Sequence, residues 1–340
     1  MEKEKKMRKK ISMAVILVLI VSGMTFAGGG RDSSGDGQYR FIYGDTSPIG
    51  DLRDRANSLM VQRLRERSGG RIHVDYFPAS QLGNDIDQIQ SVIVGAQTLW
   101  GADLSWLANW VPDMNILGWG FTFRDTEHWI NFLRSDLFRN MMSRFETEQN
   151  MKFLGVAPQG SRILSSKTPI RSLADLQNKK MRVPEIESYL RLWEALGTSP
   201  TPVAWAELYM ALTQGLVDAC EGPINSTYQS KIHEAAPYIT LTNHVQVGFL
   251  ILMNGGIWGS LPSDLQNVVQ GSADDAIAYF IQEADKTIQE ALDSMRAEGA
   301  TLITLTNIAE WQEKIRDATA AMEARGLWSR GLFDEIQRIR

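Results

Sequence analysis

The chain has 340 residues, a formal net charge of −5, 44 % hydrophobic residues, ten tryptophans and one cysteine. This acidic balance is a poor match for nucleic acid, whose protein partners bind phosphate largely through Lys and Arg. The lone Cys220 excludes an intrachain disulfide, so stability rests on a buried core, and the length suggests two domains.

Met1 to Lys10 carry five lysines and Arg8 against Glu2 and Glu4. An apolar run from Ile11 to Val21 follows, then Thr25-Phe26-Ala27, a small-x-small site. Together these describe a secretory signal peptide over residues 1–27, cleaved near Ala27. The alternative is a membrane anchor, but the run falls short of the ~20 apolar residues that a spanning helix needs. No cysteine stands beside the cleavage site to carry a lipid. Residues 28–37 (GGGRDSSGDG) read as a flexible tether. Loss of the signal peptide removes six positive and two negative charges and leaves −9.

Tyr39 to Gly44 reads as a strand and Asp51 to Arg67 as an amphipathic helix, with Leu52, Ala56, Leu59, Met60 and Leu64 on one face. Gly69-Gly70 ends it, and Arg71 to Phe77 is the next strand. Ile86, Ile89 and Ile93 mark a second helix stopped by Gly95, with a buried strand from Thr98 to Ala102. The order then returns. Ser172 with Asp175 resembles a capping box, and Lys180 to Val183 is a strand stopped by Pro184. The next helix carries Ile186, Tyr189, Leu190 and Trp193 and ends near Gly197. Another carries Trp205, Leu208, Tyr209 and Leu212, ends at Gly215, and leads into a strand from Leu216 to Cys220.

Ile93-Val94-Gly95-Ala96-Gln97-Thr98 thus echoes Thr213-Gln214-Gly215-Leu216-Val217-Asp218. Alternating strands and helices imply mostly parallel sheets covered by helices. Two such units imply two similar α/β domains with a cleft between them. Between Pro262 and Gly299 no proline occurs, and small or apolar residues recur from Leu265 through Phe280 to Met295. This predicts one helix of roughly 35 residues, ~50 Å long, which would bridge both domains; the alternative is a break near Gly271.

Catalytic chemistry has no sign in the sequence. His73, His128, His233 and His244 are scattered without metal-ligand spacing, and HExxH, CxxC, GxSxG and Walker patterns are absent. Gly118-Trp119-Gly120 begins like a dinucleotide fingerprint, but Phe123 stands where its last glycine belongs. Cys220 reads as a core residue, and Asn225-Ser226-Thr227 as a chance sequon. No cofactor and no metal are implied.

Arg182 is the sharpest candidate. Strand alternation puts Met181 and Val183 on one face and Arg182 on the other. The end of a parallel strand points at the crevice where α/β folds bind ligands, and a guanidinium matches a carboxylate bidentately. A structural ion pair with a neighbouring Asp or Glu is the equal alternative.

The segments Tyr76-Phe77-Pro78-Ala79-Ser80-Gln81-Leu82-Gly83, Gly160-Ser161-Arg162, Lys179-Lys180-Met181-Arg182-Val183-Pro184, Pro200-Thr201-Pro202 and Leu212-Thr213-Gln214-Gly215-Leu216-Val217-Asp218, with Glu221, are collinear. They resemble the solute-binding subunits of TRAP (tripartite ATP-independent periplasmic) transporters, the DctP family, over nearly all of the mature chain. The resemblance implies a venus-flytrap receptor that delivers substrate to a membrane permease. It implies that Arg182 pairs with a substrate carboxylate and that Arg162, otherwise a solvated loop charge, is a second ligand-facing arginine. Trp205 falls where members place an aromatic over the ligand; a place in the core of its helix face is the alternative. Glu221 would follow the strand lining the cleft. Asp85, Asp103 and Glu185 stand at loop positions that contact ligand in some relatives, and on the residues alone read as surface carboxylates.

One position departs from the pattern. Many relatives carry Asn-Pro where this chain has Gly222-Pro223. Gly222 is therefore expected to remove an amide contact and leave space beside the carboxylate.

The sequence is identified as that of an exported, non-enzymatic, periplasmic receptor for a small organic acid, sugar acids ahead of plain dicarboxylates, partnered with TRAP permease subunits. Domain I is expected over 38–159 plus 247–287 and domain II over 160–246 plus 288–340, with hinges near Gln159-Gly160 and Gln246-Val247. The rival readings are a receptor for an ATP-driven importer, an exported lyase-like enzyme on organic acids, and a chemoreceptor accessory protein. N-terminal sequencing of the protein from a periplasmic extract should begin near Gly28, whereas an intact chain in the membrane fraction would overturn the export reading.

Overall fold

A computed structural model describes residues 38–340. The expected signal peptide and tether lie outside the described residues. The first strand, β1 (Tyr39–Asp45), is flanked in parallel by β2 (Ile72–Phe77) and β3 (Leu99–Asp103). Later in the chain β5 (Lys180–Val183) is flanked in parallel by β6 (Ser199–Pro202) and β7 (Ala219–Pro223). The first group matches the expected parallel unit; in the second, β6 is a strand that the sequence reading did not expect.

Two long strands that periodicity did not reveal join the groups. These are β4 (Met151–Ser166) and β9 (Gln246–Asn254), antiparallel to each other. β9 also pairs antiparallel with β3, and β4 with β7 and with β8 (Tyr238–Leu241), which β10 (Thr301–Thr304) flanks in parallel. The path is β2-β1-β3-β9-β4-β7-β5-β6, a mixed sheet system and not the mostly parallel one expected. β9 is buried along its whole length. A strand covered on both faces shows a continuous apolar run and no alternation, which is why QVGFLILMN gave no period-two signal.

β4 changes partners partway. Through Ser161 it pairs with β9, and from Arg162 onward with β7. A register shift falls between Pro158 and Gly160, and Gly160 has φ +92°. Gly160 lies opposite Val247, and Ser161 opposite Gln246. The two predicted hinge points therefore face each other across one ladder.

The helix Ser263–Ala297 is continuous through Gly271 and has the expected 35 residues. Its first part, through Leu265, Val269, Ala276 and Phe280, packs with Phe41, Met60 and Phe249. Its last part, through Ala291 and Met295, packs with Ile163 and Ile239. One helix thus serves both strand groups. At the crossing its Ile288 leaves no room over Gly160, where an added Cβ would lie 2.7 Å from Ile288 Cδ1.

Two expected elements shift. Trp205 is not on the helix Leu208–Thr213 but opens a 3-10 turn, Trp205–Glu207, before it. The strand expected at Leu216–Cys220 begins at Ala219, because Leu216 and Val217 both donate backbone hydrogen bonds to the Ala211 carbonyl in the helix-ending turn. Leu216 is exposed as a result. Glu221 therefore sits inside the strand, not after it.

Gly160→Ala forces a side chain into a left-handed conformation and against Ile288. It should lower stability by about 2 kcal/mol, read as a lower urea midpoint at unchanged slope. An unchanged midpoint would show that β4 does not need the glycine.

Candidate functional site

β1, β3, β5 and β7 end around one cavity, and their C-terminal residues and the loops after them form its wall. Thr46 and Ser47 follow β1, Asp103, Ser105 and Trp106 end β3, Arg182 and Pro184 end β5, and Pro223 and Ser226 end β7. Arg53, Asp85, Arg162, Ile186 and Trp205 complete the lining. The space between these atoms is about 460 Å³, including that at the mouth. Crevices at the carboxyl ends of parallel strands are where such folds hold ligands.

An ion cluster forms the floor. Arg162 on β4 and Glu221 on β7 are diagonal neighbours on one face of the ladder, since Arg162 lies opposite Pro223 and Leu164 opposite Glu221. Arg162 grips Glu221 through Nε and through Nη2, 2.9 Å from Oε1, and its Nη1 donates to Asp103 Oδ2 at 2.8 Å. Its guanidinium also faces the Tyr189 ring at 5.0 Å. Burial alone would push the Glu221 carboxyl up, but the Arg162 charge and hydrogen bonds outweigh it and hold the pKa down at about 2. Burial likewise opposes the Arg162 charge, and Glu221 and Asp103 reverse that, raising its pKa. His244 stops with Nε2 3.6 Å from Glu221, and its Nδ1 meets Thr242 Oγ1 at 2.7 Å.

Arg182 is differently placed. Its side chain is buried, yet its one protein hydrogen bond among the described residues is Nε to the Val203 carbonyl at 2.9 Å. Nη1 is buried without a hydrogen-bond partner, 3.9 Å from Glu221 Oε1. Burial holds the Arg182 pKa below its usual value, the attraction of Glu221 only partly offsets this, and Arg162 adds to the depression. A buried guanidinium in this state calls for an anion. Trp205 stands over it with the ring centre 5.4 Å from Arg182 Cζ, fixed by a 2.9 Å hydrogen bond from its Nε1 to Ser230 Oγ.

Gly222 does not leave open space, which corrects the sequence expectation. A Cβ there would lie 2.8 Å from Trp205 Cη2 and 3.3 Å from Thr227 Oγ1. The indole fills the room that the missing side chain vacates.

The opposite end of the cavity is acidic. Arg53 pairs with Asp45, which also accepts from Asn57 Nδ2 (2.6 Å) and the Ser47 amide (2.6 Å). Asp51 accepts from the Arg53 amide and from Ser226 Oγ, both at 2.9 Å, the second contact joining the end of β7 to the helix after β1. Asp85 accepts one hydrogen bond, 2.9 Å from Thr46 Oγ1. Burial pushes its pKa up to about 6; Arg53 and Thr46 pull it down, and Asp45 and Asp103 push it further up.

The structure thus gathers Arg182, Arg162, Trp205, Asp85 and Asp103 around one cavity, with Glu221 directly behind the arginines. Asp85 and Asp103 are buried and not surface carboxylates. Glu185 is excluded: its side chain is exposed, and only its carbonyl takes part, accepting from Asn109 Nδ2 at 3.2 Å. The sequence reading missed Arg53, Thr46 and Ser226. An arginine at the second position of an amphipathic helix reads as solvated, and only its place just after Asp51, the N-cap, hinted at the strand-end crevice. His233, Glu234 and Glu298 lie close enough together to share a cation, but none of them lines the cavity.

A family model for the bacterial extracellular solute-binding proteins of family 7 matches residues 44–325. The solute-binding protein RD1_1052 of Roseobacter denitrificans is 28% identical over 284 residues, covering 81% of this chain and 86% of that protein. Its crystal structure with bound L-galactonate superposes with a TM-score of 0.82 at 25% identity, covering 89% of this chain and 99% of that one. A TRAP periplasmic solute-binding protein from a Bradyrhizobium, solved with galacturonate, matches with a TM-score of 0.80 at 27% identity over 88% and 99% of the two chains. The 2,3-diketo-L-gulonate-binding periplasmic protein YiaO of Escherichia coli is 28% identical over 71% of this chain and 74% of its own length.

Gly222→Asn should drive the Trp205 ring off its seat. Overpacking of this kind costs about 2 kcal/mol, to be read in chemical denaturation together with a shift in tryptophan fluorescence. Unchanged stability and emission would mean that Trp205 does not rest on Gly222.

Proposed function

Because the chain belongs to family 7 of the bacterial extracellular solute-binding proteins, we propose that the cavity captures a small organic acid and that the loaded receptor hands it to a TRAP membrane permease. Arg182 carries this reading: a buried guanidinium with an unpartnered Nη1 on the wall of a cavity at the strand ends. A carboxylate fits the planar fork of the guanidinium and supplies the missing charge. Trp205 holds the fork in place from above, and Arg162, with every nitrogen already engaged by Glu221 and Asp103, positions the floor. The sugar acids and related acids bound by relatives are of the size and chemistry that this reading assigns to the ligand.

Capture proceeds by closure of domain I (38–159 plus 247–287) on domain II (160–246 plus 288–340). The chain bends where β4 trades β9 for β7 and where the long helix crosses Gly160. The contacts Asp51–Ser226, Asn109 to the Glu185 carbonyl, and Arg162–Asp103 then link the two sides. Each is modest by itself, so a ligand that contacts both sides sets the balance between open and closed. Among the described residues no helix is long and apolar enough to cross a membrane.

Removing one partner of a buried charge pair costs ~2–5 kcal/mol. Arg182→Ala should therefore weaken galactonate or erythronate binding by roughly 30-fold or more. Arg182→Lys should also bind poorly, because an ammonium cannot reproduce the fork. Isothermal titration calorimetry reads both, and an Arg182→Lys protein that binds like the wild type would overturn the assignment.

A further inference from the structure

Next to the Asp51–Ser226 contact the chain forms a second crevice, of about 800 Å³ including its mouth. One wall is the start of the helix Leu52–Arg67, with Gly50 and Arg55. The other is the helix Ile224–Gln229, with Asn225 and Gln229, and the long helix closes the bottom through Thr287 and Glu290. The walls come close, since a Cβ on Gly50 would lie 3.7 Å from Gln229 Oε1. None of these residues lines the main cavity.

Two groups in this crevice lack partners of opposite kind. Asn225 is buried; its Nδ2 donates to Thr287 Oγ1 at 3.0 Å, and its Oδ1 is buried without a hydrogen-bond partner. The amide cannot be turned round. Thr287 gives its own hydrogen to the carbonyls of Glu283 and Ala284, 2.9 and 3.0 Å away, so it accepts from Asn225 and cannot donate to it. Oδ1 therefore calls for a donor from the crevice, because a buried acceptor left unmade is costly. Arg55 is exposed and makes no side-chain hydrogen bond or ion pair among the described residues, so its charge is free for an anion. Glu290, the one carboxylate of the lining, is also exposed and lies 3.9 Å from Lys286 on its own helix.

We propose that this crevice is a second ligand site, for a small oxyanion that carries its own O–H donor, hydrogen phosphate being the simplest. An anionic oxygen faces Arg55, and the O–H donates to Asn225 Oδ1. A fully deprotonated oxyanion such as sulfate meets Arg55 equally well but brings only lone pairs to Oδ1. A site that needs a donor discriminates sharply against a ligand lacking one, since its own polar group is then left unpaired. Phosphate keeps at least one O–H from about pH 5 to pH 8 and sulfate keeps none, so the two tetrahedral anions differ in the one feature that this site reads.

The test is a thermal-shift titration of the mature protein with phosphate and with sulfate, at matched ionic strength and without organic acid. Both salts stabilise proteins generally by exclusion from the surface, so the difference between them reports the site. Phosphate should saturate, and at about tenfold or more lower concentration than sulfate; its phosphorus NMR line should broaden on adding protein. Arg55→Gln, a change at an exposed side chain, should abolish the difference while galactonate binding stays as in the wild type. Asn225→Ala should likewise respond to the two anions alike, and Arg182→Ala should keep the wild-type preference. Equal responses of the wild type to phosphate and sulfate would overturn the site, as would an Arg55→Gln protein that retains the preference. A preference lost in Arg182→Ala but kept in Arg55→Gln would put the phosphate in the main cavity and overturn the site too. Galactonate binding, titrated on the same samples, reports on the main cavity separately.

Discussion

Glu221 stands between Arg162 and Arg182, and it hydrogen-bonds only the first of them. Arg162 takes both of its oxygens, Arg182 stays 3.9 Å away, and His244 stops at 3.6 Å. In a buried site each uncompensated charge is expensive, so the allocation of this carboxylate decides what the site still lacks. Because β4 and β7 place Arg162 on the same face as Glu221, that pair is made by the sheet itself. Arg182 comes from β5, on the far side of β7, and is left with a backbone carbonyl and an indole face. The fold therefore builds a rigid, neutralised floor and one guanidinium in need of a partner. Such pre-arrangement lowers the ordering cost of binding.

The same β4 strand that fixes the floor also carries a break in its pairing. Arg162 is the first residue of its pairing with β7, two residues past the left-handed Gly160 and the register shift. The anion-binding end of the cavity thus begins where the strand leaves one sheet partner for another. Ile288 of the long helix rests over that glycine. Bending, helix packing and the ion cluster are mechanically adjacent, within a few residues of one another.

How much of this was legible depended on the range of the signal. Arg182 could be read because alternation in Lys-Met-Arg-Val is local and Pro184 marks the strand end. The long helix could be read because its spacing persists over 35 residues. The strand before Glu221 was placed three residues early because Leu216 and Val217 are apolar and follow a helix-ending glycine. The internal echo contained the correction: β3 starts four residues after Gly95, and β7 starts four residues after Gly215. Gly95 and Gly215 share nearly the same left-handed φ, +78° and +76°. The β4–β9 ladder was illegible because pairing across about ninety residues leaves no local period. Trp205 over Gly222 was illegible for a related reason. A glycine in sequence reads as vacancy, and only packing shows that a ring from seventeen residues away has occupied it.

The two unequal charge environments lie on different strand groups. Arg182 belongs to the strand group of β5 and β7, and Asp85 to the helix that follows β2. Asp51 meets Ser226 and Asp103 meets Arg162, while among the described residues Thr46 is the one hydrogen-bond partner of Asp85. On the proposed function, a ligand with an acid at one end would supply the hydrogen-bond partner that Arg182 Nη1 lacks. A bare carboxylate such as acetate satisfies Arg182 only and leaves Asp85 buried without a second partner. Desolvating Asp85 then opposes closure, because a buried carboxylate short of hydrogen bonds is unfavourable.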